Sequence, residues 1–390
     1  MVKIGLDRLQ GSWPRGLNDA NIGLLVHPAS VNSRLEHASS ICLRLKKFRV
    51  RAFFGPQHGI RGETQDNMIE WSGFRDRTTG IPVYSLYGAV RKPAAAMLKG
   101  LDVMVIDLQD VGARYYTFIW TMALVMEACI KAGKAVVVLD RPNPINGLQI
   151  EGPMLDPGFR SFVGLYPLPV RHGMTIGEIA LYLRDSFFPG LQLHIIRLKG
   201  WSRSMWFEDT KLPWVLPSPN MPTPETALVY PGMCLLEGTT ISEGRGTTRP
   251  FEIFGAPYID PDRLVERLGS FKLPGLVFRP LSFIPTFQKH GNTLCGGAQL
   301  HVTDRKKFKP FLSGVAIIKA IHDLYPGQRL WKEPPYEYEE RLLPFDILAG
   351  DDRLRKDIEA GRSLRDTEAA WKDGLTEFNK KVRKNYLLYP

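Results

Sequence analysis

The stretch Arg49-Val-Arg-Ala-Phe-Phe-Gly-Pro-Gln-His-Gly-Ile-Arg-Gly62 joins a short apolar run to a loop that is rich in polar side chains. Residues 49–54 have the β-branched and aromatic composition of a buried strand, and Gly55-Pro56 ends the run. The glycines of the loop allow sharp turns and close approach to a ligand. Because loops at the carboxyl ends of strands bind ligands in open α/β sheets, we expect this loop to carry function rather than to be a plain surface turn.

Three more apolar runs alternate with segments of helical length. Residues 21–26, 101–106 and 134–139 are continuous apolar stretches, and residues 115–132 have the length and composition of a helix. This alternation predicts a doubly wound, mostly parallel sheet that helices cover on both faces. Further helices are predicted at 33–47 and 175–186, and a further strand at 194–198.

A proline-rich segment marks the predicted domain boundary. Prolines crowd into residues 212–225, and a chain of this kind is stiff and extended because proline continues neither a helix nor a central strand. We assign residues 1–225 to the α/β domain with the main polar loops and residues 226–390 to a smaller α+β domain that closes a cleft. In the second domain we predict strands at 276–283 and 297–302 and a helix at 311–325.

The composition is that of an ordinary globular protein. The chain has 390 residues, of which 44% are hydrophobic and 23% charged, and these values exclude disordered and fibrous classes. The four cysteines lie far apart, which argues against a zinc site or a redox pair and indicates buried thiols. The first residues lack the apolar core of a signal peptide, and the longest apolar run is too short to span a bilayer. We therefore predict a cytoplasmic protein without a membrane span, although a processed secreted chain would look the same.

The net charge of +11 favours acidic partners. Nucleic acid is one such partner, but the basic residues are scattered and do not form a patch with stacking aromatic residues, so we predict no nucleic-acid partner. An acidic polysaccharide or glycopeptide fits the same charge.

Polar residues follow each predicted strand, and strand-end loops lie side by side at one edge of a parallel sheet. We therefore expect these loops to form one polar neighbourhood. For Asp107 the alternative is an ordinary role in capping the next helix or turn, and it stays open. The loops contribute Gln57, His58, Arg61, Glu63, Asp107, Asp110, Arg114, Tyr116, Asn143 and His172.

The second domain offers a loop of acidic, basic, glycine and threonine residues, Leu236-Glu-Gly-Thr-Thr-Ile-Ser-Glu-Gly-Arg-Gly-Thr-Thr-Arg-Pro-Phe-Glu252. Backbone amides of a glycine-rich turn hold anions, and arginine pairs bidentately with carboxylates. The alternative is a salt-bridge loop within the domain. If this loop faces the first domain, the two form an interdomain cleft, which is a usual place for a small-molecule site.

Several common catalytic motifs are absent from the sequence. It contains no GxGxxG after the first strand, no GxxxxGK[ST], no HExxH and no GxSxG. The remaining carboxylates, amides and arginines suit carbohydrate hydrolysis, in which one carboxylic acid protonates the leaving oxygen and a second carboxylate or a water deals with the anomeric carbon.

At these residues the sequence resembles the NamZ-type exo-β-N-acetylmuramidases, which are peptidoglycan hexosaminidases with a Rossmann-like domain and a smaller second domain. The resemblance implies release of N-acetylmuramic acid from the non-reducing end of cell-wall fragments, in the cleft between the domains and with no cofactor. The matching motifs are Phe54-Gly-Pro-Gln-His-Gly-Ile-Arg-Gly62, Tyr84-Ser-Leu-Tyr-Gly88, Asp107-Leu-Gln-Asp-Val-Gly-Ala-Arg114, Asp140-Arg-Pro-Asn-Pro144, Pro217-Ser-Pro-Asn-Met-Pro222 and Ser242-Glu-Gly-Arg-Gly-Thr-Thr-Arg-Pro-Phe251.

The chain departs from the family pattern at Gln57. In the family this loop usually reads Pro-Glu-His-Gly, and that glutamate is the leading catalytic candidate. An amide cannot exchange a proton as a carboxyl group does. Three explanations stay open: Glu63 supplies the acid or base, Glu243 or one of Asp107 and Asp110 is the essential group, or the protein binds a glycan without cleaving it.

We predict an exo-acting glycosidase on β-linked N-acetylmuramic acid, with a non-catalytic muropeptide or amino-sugar binding protein as the alternative. Glu63 is assigned to proton transfer with Glu243 and Asp110 as partners, and His58 acts beside them. Arginines are expected to face the lactyl carboxylate, and no metal is expected. The predicted substrate-binding residues are Gln57, Arg61, Asp107, Arg114, Tyr116, Asn143, His172, Asn220, Arg245 and Arg249.

Overall fold

The first half of the chain is built around a parallel sheet. The structure is a computed structural model and describes residues 1–62, 64–66 and 68–390. The strands of this half are Ala20–Val26 (β1), Phe48–Gly55 (β2), Phe74–Arg75 (β3), Pro82–Ser85 (β4), Val103–Asp107 (β5), Ala135–Leu139 (β6), Glu151–Met154 (β7), Pro169–Arg171 (β8) and Leu193–Ile196 (β9). Among the described residues, the central sheet has seven strands in the order β3-β4-β2-β1-β5-β6-β9, while β7 and β8 pair separately.

Successive side chains of each strand point to opposite faces of the sheet, and apolar side chains pack on both faces. In β1, Ile22 and Leu24 pack in a cluster on one face, and Leu25 packs in the larger cluster on the other. All neighbouring strands of the central sheet pair in parallel except β3, which is antiparallel to β4. The predicted mostly parallel sheet is therefore confirmed.

Helices of the first half lie against these two faces. Their bounds are Gly5–Ser12 (α1), Ala38–Arg44 (α2), Ala95–Leu98 (α3), Phe118–Lys131 (α4) and Ile176–Phe187 (α5). Helix α5 begins with the expected capping box, because the Thr175 side chain accepts from the backbone N–H of Glu178 and the Glu178 side chain accepts from that of Thr175. Helix α2 is shorter than the predicted 33–47, because Asn32 Oδ1 accepts backbone N–H groups of Arg34 and Glu36 and holds a turn there.

The proline-rich segment fills the crevice where the strand order reverses. This crevice lies beyond the carboxyl ends of β1 and β5, where doubly wound folds usually bind a ligand. His27, which follows β1, donates from Nδ1 to the Pro217 carbonyl at 3.2 Å and accepts at Nε2 from the Gln109 backbone N–H at 2.9 Å. Burial lowers the pKa of His27 well below its usual value, so the ring is neutral.

Asp107 lies in the same crevice and is paired within the protein. Its two oxygens accept from Arg141 Nε at 2.6 Å and Nη2 at 2.8 Å, and its side chain is fully buried. Asn143 also has internal partners: its amide donates to the Met174 carbonyl and its oxygen accepts from the Ile145 backbone N–H. The substrate-binding roles expected of Asp107 and Asn143 stay predictions.

The second half combines helices with a small antiparallel sheet. Its strands are Ile253–Ala256 (β10), Leu276–Phe283 (β11) and Cys295–Val302 (β12), in the order β10-β12-β11. Its helices are Pro224–Met233 (α6), Pro261–Ser270 (α7), Pro310–Leu324 (α8), Pro344–Ala349 (α9), Arg353–Glu359 (α10), Leu364–Ala369 (α11), Lys372–Glu377 (α12) and Lys384–Tyr386 (α13), with a π-helical turn at Phe378–Arg383. Throughout the described ranges, every helix is too short or too polar to cross a membrane.

The chain ends on the first half. Tyr389 OH donates to Asp140 and accepts from the backbone N–H of Leu198, and the backbone N–H of Leu388 donates to Glu178 Oε1 at 2.7 Å. All four cysteines are buried free thiols, as predicted.

Arg114 ties the two halves together. Its guanidinium is fully buried and donates to the carbonyls of Pro153 and Leu168 in the first half and of Leu348 and Ala349 in the second, at 2.7–3.0 Å. Burial lowers its pKa to about 10, so it stays charged at neutral pH. Four carbonyl groups surround the guanidinium, and the contact of Arg114 with a substrate carboxylate stays a prediction.

We predict that Arg114→Met lowers the free energy of unfolding by about 3 kcal/mol or more, because it removes a buried charged donor from four carbonyl oxygens, of which the Leu168 oxygen keeps the Leu155 backbone N–H. The midpoint of urea unfolding measures the loss. Arg365→Met, at an exposed position of α11, is the control and should change stability by less than about 0.5 kcal/mol. Equal midpoints for the two variants would contradict a structural role for Arg114.

Candidate active site

A small polar cavity lies where the two halves meet. It encloses about 30 Å³, which is room for about one or two water molecules. The first half contributes the loop after β2, the start of α4 and the proline-rich segment. The lining residues are Gln57, His58, Tyr115, Tyr116, Thr117, Val163, Ser218, Asn220, Met221, Tyr230, Glu237, Arg245, Phe251, Tyr336 and Glu337.

Gln57 is the centre of a hydrogen-bonded chain across this cavity. Its Oε1 accepts from Thr117 Oγ1 at 2.7 Å, and its Nε2 donates to Glu337 Oε1 at 3.0 Å. The other oxygen of Glu337 accepts from Tyr87 OH at 2.8 Å. The Thr117 hydroxyl therefore fixes which way the Gln57 amide points, and the amide presents its donor to a carboxyl group of the second half.

Glu337 is a buried carboxyl group with neutral hydrogen-bond partners. Burial and then the charge of Glu237 raise its pKa to about 7, against the opposing bonds from Tyr87 and Gln57. This carboxyl group therefore titrates near neutral pH. The backbone at Glu337 is left-handed, with φ of 45°, and a glutamate rarely adopts this conformation without local support.

His58 presents a neutral imidazole to the cavity. Its Nδ1 donates to the Thr64 carbonyl at 2.7 Å, so Nε2 carries the lone pair. Burial and then the nearby Arg245 lower its pKa to about 4, against the opposing effects of the Thr64 bond and the charges of Glu237 and Asp66. The ring is therefore neutral at neutral pH and weakly basic.

Glu237 differs from Glu337 because a cation neutralises it. Its Oε1 accepts from Arg245 Nη2 at 2.8 Å and its Oε2 accepts from Tyr336 OH at 2.6 Å. Burial would raise the pKa of Glu237, but these contacts outweigh burial and hold the pKa below its usual value. The cavity therefore contains one ionised carboxylate and one carboxyl group that titrates near neutrality.

The glycine-rich loop is folded on itself and does not form an anion cradle. Gly244 and Gly246 have φ of 82° and 79°, and a Cβ at Gly246 would lie 2.7 Å from the Phe287 carbonyl oxygen. Arg245, between them, pairs with Glu237 and with Glu243, so its charge is neutralised within the protein. Residues 236–252 therefore form a salt-bridge loop within the second domain, which was the alternative to an anion-binding turn.

Glu243 does not line the cavity. Its Oε2 accepts from Lys289 Nζ at 2.9 Å and its Oε1 lies 3.2 Å from Arg245 Nε, and its side chain is buried. A carboxylate held by two cations is poorly suited to exchange a proton. The catalytic role expected of Glu243 stays a prediction.

Asp110 and His172 form a buried pair outside the cavity lining. His172 Nε2 lies 3.2 Å from Asp110 Oδ2, which also accepts from the Gly112 backbone N–H, and His172 Nδ1 accepts from Met174. Asp110 Oδ1 is buried and has no hydrogen-bond partner among the described residues. The roles expected of Asp110 in catalysis and of His172 in substrate binding stay predictions.

Two predicted arginines are at the surface. Arg61 is 3.6 Å from Asp76 with most of its side chain exposed, and Arg249 pairs with Glu252 at 3.1 Å. Neither is among the residues that line the cavity. Glu63, the first candidate for proton transfer, lies outside the described residues.

The structure therefore brings together Gln57, His58, Tyr116, Asn220 and Arg245 of the predicted residues. Sequence reasoning missed Glu337 and Thr117 and did not select Glu237. Glu337 lies in Pro334-Pro-Tyr-Glu-Tyr-Glu-Glu340, whose alternating aromatic and acidic residues have no apolar strand or helix period. This mixture of aromatic and acidic residues is the sequence feature that could have identified the segment. Within the described part of the chain, no group of three or more His, Cys, Asp or Glu residues is placed to hold a metal ion.

Known families cover both halves of the chain. Residues 22–225 match the family described as Exo-beta-N-acetylmuramidase NamZ, N-terminal, and residues 228–389 match Exo-beta-N-acetylmuramidase NamZ, C-terminal. The chain belongs to the NamZ family. The family that the sequence motifs indicated is confirmed.

A curated NamZ relative and two solved structures agree with this assignment. The chain is 48% identical over 388 residues to Peptidoglycan beta-N-acetylmuramidase NamZ of Bacillus subtilis (strain 168), covering 100% of this chain and 91% of the relative. Two crystal structures of DUF1343 family proteins from Bacteroides fragilis NCTC 9343 are each 32% identical, with TM-scores of 0.90 and 0.77. Both alignments cover 100% of this chain and 99% of the other.

We predict that Thr117→Val destabilises the protein by about 1–2 kcal/mol, because it removes the donor to the buried Gln57 oxygen while keeping the side-chain shape. Thr121→Val is the matched control, because the Thr121 hydroxyl donates to the backbone carbonyl of Thr117 one helical turn earlier and not to Gln57. Chemical denaturation of the two variants measures the difference. A Thr121 variant that loses as much stability as the Thr117 variant would contradict the role of the Gln57 bond.

Proposed function

We propose that the chain is an exo-acting glycoside hydrolase that releases non-reducing terminal β-linked N-acetylmuramic acid from peptidoglycan fragments. The observation that carries the proposal is the pair of unlike carboxyl groups in the interdomain cavity of a NamZ family member. Arg245 holds the pKa of Glu237 below its usual value, whereas burial raises the pKa of Glu337 to about 7. Glycoside hydrolysis requires carboxyl groups whose environments separate their pKa values in this way.

The remaining lining residues suit a sugar. Tyr116, Ser218 and Asn220 place hydroxyl and amide groups beside the carboxyl groups, and Tyr230 and Phe251 add aromatic surface. Sugar sites combine apolar surface with a few placed polar groups. A narrow site closed by two domains fits the terminal residue of a glycan better than an internal one, which supports exo action.

Substrate entry requires the walls of the cavity to separate. Sites for small molecules occupy roughly 300–1,000 Å³, far more than the 30 Å³ enclosed here. The wall at residues 336–339 is a short turn, in which Tyr336 and Glu339 bond to each other through their backbones. We infer that this turn moves to admit the sugar and that the cavity closes over the bound ring.

The second candidate is a binding protein without catalysis, and Gln57 is the observation that favours it. An amide at this place cannot transfer a proton. If Gln57 has abolished turnover, Gln57→Glu should create activity that the wild type lacks.

We predict that the protein releases 4-nitrophenol from 4-nitrophenyl β-N-acetylmuraminide at least about tenfold faster than from the matched N-acetylglucosaminide, which lacks the lactyl group. Absorbance of the released phenol measures both rates. Saturable binding of the muraminide without turnover, together with activity gained in Gln57→Glu, would instead establish the binding protein. Equal rates on both glycosides would contradict the muramic acid specificity.

A further inference from the structure

We propose that Glu337 is the general acid of this enzyme and that Gln57 orients it. The inference rests on the proposed glycosidase function and assigns a catalytic residue within it. It begins from the hydrogen bond between Gln57 Nε2 and Glu337 Oε1, which joins the loop after β2 to the turn at residues 336–339.

The partners of Glu337 distinguish it from the other buried carboxylates near the cavity. Glu237 and Glu243 lie against Arg245, and Asp110 lies against His172. Glu337 instead accepts from an amide and a phenol. Within the described residues, no cation lies within ion-pair distance of it. A carboxyl group without a cation is the one that retains a proton when buried.

The surrounding charges support this protonated state. The groups that face Glu337 are the hydroxyl of Tyr87, the carboxylate of Glu237 and the guanidinium of Arg245. The Glu237 charge favours the proton on Glu337, while Arg245, which is paired with Glu237, opposes it less strongly. With a pKa of about 7, Glu337 can give up its proton in the reaction and regain it from solvent.

The turn holds Glu337 in place against backbone strain. Glu337 and Tyr338 both have left-handed backbone, with φ of 45° and 67°. The centroid of the Tyr338 ring lies 5.5 Å from that of Tyr87 and 6.1 Å from that of Phe162. The Arg91 guanidinium lies over the Tyr338 ring, 3.8 Å from its centroid. Strained positions that the surroundings enforce are typical of functional sites.

The step conserves protons and atoms. The bond between the anomeric carbon and the glycosidic oxygen breaks, and that oxygen takes the proton of Glu337. A water oxygen bonds to the anomeric carbon, and the water proton passes to the carboxylate of Glu237, which lines the same cavity. Exchange with solvent then returns a proton to Glu337 and removes one from Glu237.

The test compares Glu337→Gln with wild type on two substrates that differ in their need for an acid. The disaccharide of N-acetylmuramic acid β-linked to N-acetylglucosamine requires protonation of its leaving oxygen, whereas 2,4-dinitrophenyl β-N-acetylmuraminide does not. We expect kcat/KM to fall by about 100-fold or more on the disaccharide and by less than about tenfold on the dinitrophenyl glycoside. We also expect the wild-type loss of kcat/KM above pH about 7 to be absent in the variant.

Three further variants complete the test. Glu340→Gln, at an exposed position in the same segment, should retain wild-type rates. The exchange Gln57→Glu with Glu337→Gln keeps one amide and one carboxyl group across the same hydrogen bond, and it should recover at least about tenfold of the disaccharide activity lost in Glu337→Gln alone. Glu63→Gln tests the competing residue.

Several results would overturn the assignment. These are full disaccharide activity in Glu337→Gln, an equal loss on both substrates with an unchanged pH profile, no recovery in the exchanged variant, or a loss confined to Glu63→Gln. A wild-type protein that cleaves neither substrate would overturn the glycosidase function as well, so the two failures are distinguishable.

Discussion

The buried guanidinium of Arg114 is the contact on which the arrangement of the two halves depends. A charge removed from water is tolerated only where polar groups replace its hydration, and here four backbone carbonyls do so. Two of those carbonyls belong to α9, and Gly350, which follows α9, has no side chain to obstruct the arginine. Since the cavity takes its walls from both halves, the fixed position of α9 relative to the sheet is a condition for the site to exist.

The two cavity glutamates show how one fold gives similar side chains different chemistry. Glu237 and Glu337 are both buried, and both accept a hydrogen bond from a tyrosine hydroxyl. The difference is the arginine beside Glu237, which stabilises the charge that burial alone would penalise. Glu337 has an amide in that place, and burial raises its pKa to about 7. Gln57 thus affects the site through its hydrogen bond, although it cannot exchange a proton itself.

The sheet was predictable from sequence because its strands are continuous apolar runs, and a parallel sheet with two covered faces requires such runs. The site was predictable only in part. Gln57 and His58 lie in a loop that follows a strand, where open α/β sheets bind ligands. Asp107 also follows a strand, but it forms an internal ion pair with Arg141. The proline-rich segment occupies the crevice there. Glu337 is 280 residues from its partner Gln57, and no local pattern reports a contact at that distance.

The occupied crevice also limits how the chain can be divided. Residues 212–221 supply the carbonyl that accepts from His27, and residues 212–215 line a small cavity together with Arg141. The segment that leads to the second half therefore forms part of the interior of the first half. A chimera that joined this sheet to a different domain at residue 211 would expose the polar crevice to water. It would also leave the buried imidazole of His27 without its acceptor. The proline-rich segment therefore fills part of the first half as well as connecting the two halves. A chimera that replaces the second half should keep this segment with the sheet.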